Sequence, residues 1–291
     1  MSPRKFVKRR NHEVMRAYLE QWQTECPSQT GVLWHWLLRP GEDGVLAAEA
    51  PADDGRAGAD FAVEDYLYVP VDEHGQRDDA LEDEFSIYED KMILLCRSKS
   101  ISDLKKVPWR DAILGCLSHG FRDRYGWSAL YGLGQGNLVE GPIPAKQFES
   151  GQHKALVAQA RSLLATYRQL IGGFEWSIQI GACTDLLVCD RPCWDLRARS
   201  GETHDVVLMP LNPRTLLKGT RGGAIDTISF RDVSALKAEH WELWNRMTVE
   251  RARSWIVGKD RASLAALQPM LTKEMYAQRV STDQVVSIPE K

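Results

Sequence analysis

Apolar and polar residues follow one another along the chain with periods that predict five helices. In each of these segments the apolar residues return every three or four positions, which is the spacing of one helix face. The pattern predicts helices over residues 11–23, 79–98, 107–119, 154–171 and 233–257. Asn11 suits the first residue of the first helix, and Gly258 follows the last one, as capping residues do.

Shorter apolar runs, some alternating with polar residues, predict strands between these helices. They cover residues 32–38, 176–180, 185–190, 205–211 and 225–230, and turn residues such as Pro and Gly separate them. The resulting class is α+β, with a helical N-terminal half, mainly antiparallel strands in the C-terminal half and a long closing helix.

The predicted elements make one α+β domain over residues 1–275. Residues 40–62 contain almost no large apolar residue and are expected to form a flexible acidic excursion from this domain. Residues 276–291 are expected to form a polar tail.

Two glutamates lie on the apolar side of the helix predicted over residues 79–98. Glu89 falls between Phe85 and Met92 on the helical wheel, and Glu82 shares its azimuth one heptad earlier. A carboxylate that points into a core destabilises the fold by about 3 kcal/mol unless it is paired, hydrogen-bonded or bound to a cation. Both positions are therefore candidates for chemistry.

Inward polar residues also occur on other predicted elements. His12 lies on the apolar side of the first helix, Asp190 ends a buried strand, and Asn245 leans toward the packed side of the last helix. Arg191 follows Asp190 and supplies a cation at the same strand end. Because functional sites gather such groups from distant segments, we expect these positions to converge.

Charge is distributed unevenly along a chain of nearly neutral balance. The formal net charge is −3, yet residues 42–90 contain 17 of the 40 acidic residues and only two of the 37 basic ones. An acidic arm of this kind is typical of a solvated loop, or of a segment that engages a basic protein surface or covers the protein's own basic surface. No apolar run is long enough to cross a bilayer, so no membrane interaction is expected.

The six cysteines and the N-terminus indicate a cellular compartment. No pair of cysteines has Cys-x-x-Cys spacing, and the basic N-terminus lacks the continuous apolar stretch of an export signal. We therefore expect reduced thiols in a cytoplasmic protein.

Short motifs in a particular order resemble those of the bacterial "domain of unknown function 4238" family. The family opens with Arg-x-His-x-Val-Pro-x-x-Tyr-Leu, and its middle helix carries Glu-containing segments. A strand that ends in Ser-Asp-Asn-Pro, a strand with Pro-Leu-x-Pro and a late helix with an Asn come next. The matching positions here are Arg10, His12, Val14, Tyr18, Leu19, Glu82, Glu89, Asp190, Pro192, Pro210, Leu211, Pro213 and Asn245.

Three positions depart from the family pattern. Met15 replaces the first proline, Cys189 replaces the Ser of Ser-Asp-Asn-Pro, and Arg191 replaces its Asn. The resemblance covers residues 10–258 and implies an architecture and a set of positions. If that Asn serves a reaction in the family, this chain uses Arg191 differently or lacks the reaction.

The positions that recur in both arguments predict a metal-dependent hydrolase, such as a nuclease, that acts on nucleic acid or nucleotides. His12, Glu89, Asp190 and the outer ligand Glu82 could hold a divalent Mg or Mn ion that activates water. Asn245 would orient the catalytic set, and Arg191 would neutralise developing charge.

Two other interpretations remain open at this stage. The protein could be a non-catalytic binding protein whose acidic arm engages a basic partner. Alternatively, the inward residues could form a purely structural polar network, in which His12 is a satisfied core histidine and Glu89 pairs with Arg10 or Arg191.

Overall fold

A computed structural model describes residues 10–12, 14–26, 29–40, 46–48, 63–65, 79–120, 122, 150–182, 184–196, 206–222, 228–252 and 254–266. The chain divides into two compact units, each built from two stretches of sequence. Unit 1 comprises Met1–Met15 and Ala62–Gly173, and unit 2 comprises Arg16–Phe61 and Phe174–Lys291. The predicted single domain over residues 1–275 stays a prediction.

The described elements comprise both helices and strands, which confirms the α+β class. The helices are α1 (Arg16–Leu19), α2 (Ala80–Arg97), α3 (Ile101–Leu104), α4 (Trp109–Ser118), α5 (Ser150–Leu170), α6 (Ala238–Arg251) and α7 (Arg261–Ala265). The strands are β1 (Arg10–His12), β2 (Thr24–Cys26), β3 (Gln29–Val32), β4 (Trp34–Pro40), β5 (Leu46–Ala48), β6 (Val63–Asp65), β7 (Phe174–Ile180), β8 (Val188–Cys189), β9 (Trp194–Leu196), β10 (Val206–Asn212), β11 (Thr215–Arg221), β12 (Ile228–Asp232) and β13 (Trp255–Gly258). None of the helices in the described part of the chain is both long and apolar enough to span a membrane.

Unit 1 is built around α2, which packs on α4, while α4 also contacts α5. Phe85, Met92 and Leu95 on α2 are completely buried, as the apolar stripe in the sequence predicts. The strands β1 and β6 pair antiparallel, with Arg10 opposite Asp65. Glu82 and Glu89 therefore lie on a helix that packs into a helical core.

Unit 2 contains two larger sheets. One has five strands in the order β12-β7-β11-β10-β9, antiparallel except for the parallel pair of β12 and β7. The other has four strands in the order β5-β4-β13-β8. Helix α6 takes part in the packing of both cores: Trp241 and Trp244 lie in a cluster with Leu216, and Val249 lies in a cluster with Ile256.

The helix predicted over residues 11–23 is wrong in its first half. Residues 10–12 form strand β1, in which Asn11 lies opposite Glu64, and only Arg16–Leu19 and a following 3₁₀ turn, Glu20–Trp22, are helical. The backbone groups at the start of this segment bond to another strand, a pairing that sequence periodicity does not encode.

Two further predictions near the C-terminus are corrected. The segment 185–190 contains only the two-residue strand β8, and the closing helix ends at Arg251 and not at residue 257. Strand β13 follows it and pairs with β4, with Ile256 opposite Trp36. The run of apolar residues in β13 is compatible with either a buried strand or a helix, so tertiary pairing decides.

The acidic segment over residues 40–62 contains one described element. Strand β5 pairs with β4, with Leu38 opposite Ala48. The remainder of residues 41–62, and the predicted tail over residues 276–291, lie outside the described residues.

Candidate functional site

The six residues predicted to form a site are divided between the two units. His12, Glu82 and Glu89 belong to unit 1, whereas Asp190, Arg191 and Asn245 belong to unit 2. Each group is therefore described within its own unit, and the convergence of all six stays a prediction.

Glu89 lies beside a close approach of α2 and α4. A Cβ atom added at Gly115 of α4 would lie 2.6 Å from the carbonyl oxygen of Tyr88 and 3.1 Å from the Cβ of Met92. Because glycine has no side chain, the two helices can approach to this distance. This close approach fixes the part of α2 that carries Glu89.

The carboxylate of Glu89 forms an ion pair with a buried arginine. Arg122 Nη1 donates a hydrogen bond to Glu89 Oε1, and the side chain of Arg122 is completely buried. The guanidinium carbon of Arg122 lies 4.3 Å from the centre of the Phe85 ring, one turn earlier on α2, which adds a cation–π contact. Glu89 keeps 11% of its side-chain surface exposed, so the pair is not sealed from solvent.

Further ionisable side chains are buried in the same unit. Glu82 is 7% exposed and lies one heptad before Glu89, about 10 Å along the helix axis. His119 is completely buried directly after α4, three residues before Arg122. Together with Asp79, which directly precedes α2, the described part of unit 1 buries three carboxylates, an imidazole and a guanidinium.

A second polar seam joins α2 to α5. Arg168 donates a hydrogen bond of 2.6 Å to the hydroxyl of Tyr88, and Arg161 Nε lies 3.2 Å from a carboxylate oxygen of Glu84. Burial raises the pKa of Tyr88, and the charge of Arg168 partly opposes that rise. The phenol therefore stays neutral near pH 7 and acts as a hydrogen-bonding group.

His12 is found on strand β1 and not on a helix. Its backbone lies opposite Val63 of β6 in the two-stranded pairing. Because His12 belongs to a strand, the prediction that it lies on the apolar side of a helix is wrong, and its role as a metal ligand stays a prediction.

Asp190 and Asn245 in unit 2 both bond to the backbone. Asp190 is 1% exposed, and its Oδ2 accepts a hydrogen bond of 2.8 Å from the N–H of Ser254, next to the start of β13. The amide of Asn245 accepts from the N–H of Leu187 and donates to the carbonyl of Asp185, both at 2.9 Å. The two hydrogen bonds of Asn245 thus fix Asp185 and Leu187, directly before β8, in the way that pairing with a neighbouring strand would.

Tyr18 and Trp22, near the start of unit 2, bind the same region. The hydroxyl of Tyr18 donates to the carbonyl of Pro210, and Trp22 Nε1 donates to the carbonyl of Leu186 at 2.7 Å. Three positions that carry the family resemblance thus take part in side chain–backbone hydrogen bonds within unit 2. Tyr18 and Asn245 contribute side chains, and Pro210 contributes its carbonyl. This arrangement gives them a structural task.

Arg191 and Cys189 surround Asp190 in the chain. Arg191 is half-buried, and its carbonyl accepts a contact of 3.6 Å from the thiol of Cys189. Burial, together with the neighbouring charge of Asp190, raises the pKa of Cys189 to about 12. This thiol is therefore protonated at neutral pH and is not a nucleophile. The catalytic roles of Asp190, Arg191 and Asn245 stay predictions.

Sequence reasoning missed His119 and the pairing of Arg122. The sequence does contain a signal for the second, because an inward carboxylate at Glu89 requires a cationic partner. Nothing in the periodicity pointed to His119, which is the last residue of the helix predicted over residues 107–119 and directly follows α4 in the structure.

No set of three or more His, Cys, Asp or Glu side chains within the described ranges is arranged to hold a metal ion by itself. Comparison with protein-family models, with curated proteins and with solved structures finds no match to this chain. Membership of the family that the motifs resemble therefore stays a prediction.

Proposed function

We propose that the protein is a metal-dependent hydrolase that acts on nucleic acid or nucleotides, with its chemistry at Glu89 of unit 1. The observation that supports this most is a carboxylate that a fully buried arginine holds in place while part of it still reaches solvent. Groups held in this way are oriented before a substrate binds, which is what general acid–base catalysis and metal binding require.

The metal would be bound mainly by carboxylate, water and substrate oxygens. Mg²⁺ is commonly held by one or two protein carboxylates together with waters and substrate phosphates, so a complete set of protein ligands is not needed. Arg122 bonds to Oε1 of Glu89, which leaves the second oxygen for the ion. Glu82, about 10 Å away along the helix, would reach the ion through water.

The buried cation and imidazole have separate tasks in this proposal. Arg122 positions Glu89 and is itself held by the ring of Phe85. His119, at the end of α4, is the candidate for moving a proton to or from the reacting groups.

Hydrolysis of an activated phosphodiester, bis(p-nitrophenyl) phosphate, and of a single-stranded oligonucleotide tests the proposal. Full-length protein should hydrolyse at least one substrate in Mg²⁺ or Mn²⁺ and lose activity in EDTA. Glu89→Gln should reduce the rate by about 100-fold or more, while Asp90→Asn, at the exposed neighbouring position, should leave it unchanged.

Because Glu89→Gln breaks a buried pair, Glu82→Gln provides a second variant that leaves Arg122 paired. Rates are compared at a temperature at which circular dichroism shows each variant folded. An inactive wild-type protein in both metals, or full activity in both glutamate variants, would contradict the proposal.

The second candidate is a non-catalytic binding protein whose acidic arm engages a basic partner. The charge distribution favours it, because residues 42–90 contain 17 acidic residues and only two basic ones. A protein inactive in the assay above that binds poly-lysine, and loses that binding when residues 42–60 are deleted, would support this candidate.

A further inference from the structure

One face of the five-stranded sheet in unit 2 is polar where most of the sheet is apolar. Side chains alternate between the two faces of a strand, so Ser177 and Gln179 of β7 lie opposite in direction to Trp176 and Ile178. The register places Lys218 of β11 beside Ser177 on the same face. We refer to this surface as the polar sheet face.

The neighbouring strand β12 extends the polar sheet face. In the parallel pairing, Ser229 lies beside Ser177 and Arg231 lies beside Gln179. Arg231 forms an ion pair with Glu175, four residues before Gln179 on β7. Arg231 is paired with Gln179, two residues after Ser177, and Glu175 lies two residues before Ser177. The ion pair therefore spans the position of Ser177.

Two polar residues of this face are largely buried. Ser177 is 5% exposed and Gln179 is 8% exposed, and within the described part of the chain neither side chain makes a hydrogen bond. Their polar atoms are not completely buried, so a ligand from solvent can reach them. Lys218 beside them is half-buried and has no ion-pair partner among the described residues.

The polar sheet face is closed on one side by helix α6. Leu216, the cross-strand neighbour of Gln179, packs with Trp241 and Trp244 of that helix. At the other side, Arg231 and Glu175 keep 55% and 40% of their side chains exposed. Ser177 and Gln179 therefore lie between the apolar cluster that contains Trp241 and Trp244 and an exposed ion pair that can separate.

We propose that the polar sheet face binds the phosphate group of a small ligand, either inorganic phosphate or a nucleotide. Lys218 supplies charge, and the side chains of Ser177 and Gln179 supply neutral donors, which together match a phosphate oxyanion. Arg231 joins the site when it exchanges Glu175 for the ligand. This inference does not depend on the proposed hydrolase, because all of its residues belong to unit 2.

Calorimetric titration of the full-length protein with inorganic phosphate, and separately with adenosine monophosphate, tests the site. Wild-type protein should bind at least one of them at low ionic strength. Lys218→Ala should weaken binding about tenfold or more, because a charge-assisted hydrogen bond is lost. Lys237→Ala, an exposed lysine before α6, is the matched control and should bind normally.

Two isosteric variants keep the test informative if Lys218→Ala folds poorly. Gln179→Glu should repel the ligand and weaken binding, whereas Glu175→Gln should strengthen binding because it releases Arg231. Binding of adenosine monophosphate but not of phosphate would identify a nucleotide as the source of the group. Absence of binding to both ligands, or equal affinity in wild type, Lys218→Ala and Gln179→Glu, would overturn the proposal.

Discussion

Buried polar residues are stabilised differently in the two units. In unit 1, Glu89 is paired with the side chain of Arg122 and keeps part of its surface exposed. In unit 2, Asn245 and Asp190 bond to backbone groups near β8 and β13. Both arrangements satisfy the buried group, but they leave different capacities for chemistry.

The difference shows how an inward polar residue can be assigned to structure or to function. A side chain whose donors and acceptors all bond to the backbone fixes the path of the chain and has little capacity left for a ligand. A carboxylate that is paired at one oxygen is oriented and still has a second oxygen. Glu89 therefore remains the candidate for catalysis, while the two backbone hydrogen bonds of Asn245 favour a structural task for that residue.

The largest expected effect follows removal of the cation from unit 1. Arg122→Ala leaves Glu89 as a buried carboxylate without its ion-pair partner, so the free energy of unfolding should fall by about 3–5 kcal/mol. Urea denaturation followed by circular dichroism measures this change.

A double variant tests the origin of that loss. Glu89→Gln combined with Arg122→Gln removes both charges and should be more stable than Arg122→Ala. If the two proteins are equally unstable, packing of Arg122 on Phe85, and not charge, accounts for the effect.

Asn245→Ala should be the most damaging of the substitutions that we consider in unit 2. It removes the donor to the carbonyl of Asp185 and the acceptor for the N–H of Leu187, and two lost hydrogen bonds correspond to about 2–3 kcal/mol. Denaturation measurements should show this loss with no change in any metal-dependent activity. A loss below about 0.5 kcal/mol would mean that water replaces both bonds.

Gly115→Ala should have a smaller net effect in unit 1. The new methyl group would lie 2.6 Å from the carbonyl oxygen of Tyr88, so α2 and α4 must separate. Overpacking of this kind costs about 1–3 kcal/mol, and the higher helix propensity of alanine offsets about 1 kcal/mol of it. A variant more stable than wild type would show that the helices separate freely.

Asp260→Ala should produce the smallest effect of the series. The side chain of Asp260 accepts the N–H of Ser263 at 2.7 Å at the start of α7, and this hydrogen bond lowers its pKa below the ordinary 3.8. Loss of a capping residue costs about 1 kcal/mol.

The capping contribution of Asp260 has a defined pH dependence. Because the pKa is lower in the folded state, the stabilisation is present above pH 3.8 and is lost as the pH falls through the folded-state value. Asp260→Asn retains a capping oxygen that does not titrate. Its free energy of unfolding relative to wild type should therefore rise as the pH falls from 6 to 3. An unchanged difference would show that the carboxylate is not the titrating group.

The sequence predicts helices with long amphipathic patterns better than it predicts short buried segments. The stripe from Leu81 to Leu95 correctly gives α2 and its buried face, because periodicity over several turns is specific. The run over residues 185–190 is apolar and was predicted to be a strand. Asn245 satisfies its backbone instead, a partner 60 residues away from Asp185 that no local pattern reveals.

The candidate site is predictable only in part, for the same reason. The inward position of Glu89 follows from the helical wheel, since it depends on neighbouring residues alone. Its partner Arg122 is 33 residues away, and no local pattern reveals a pairing over that separation. The helix expected around His12 did not form, because β6 supplies the backbone bonds.

The most direct test compares hydrolysis by Glu89→Gln and by Asn245→Ala with that of the wild type, at a temperature at which all three are folded. The account predicts that Glu89→Gln loses about 100-fold or more of the metal-dependent rate, while Asn245→Ala stays within a few-fold of wild type. Loss of activity in Asn245→Ala with full activity in Glu89→Gln would contradict the assignment of chemistry to unit 1.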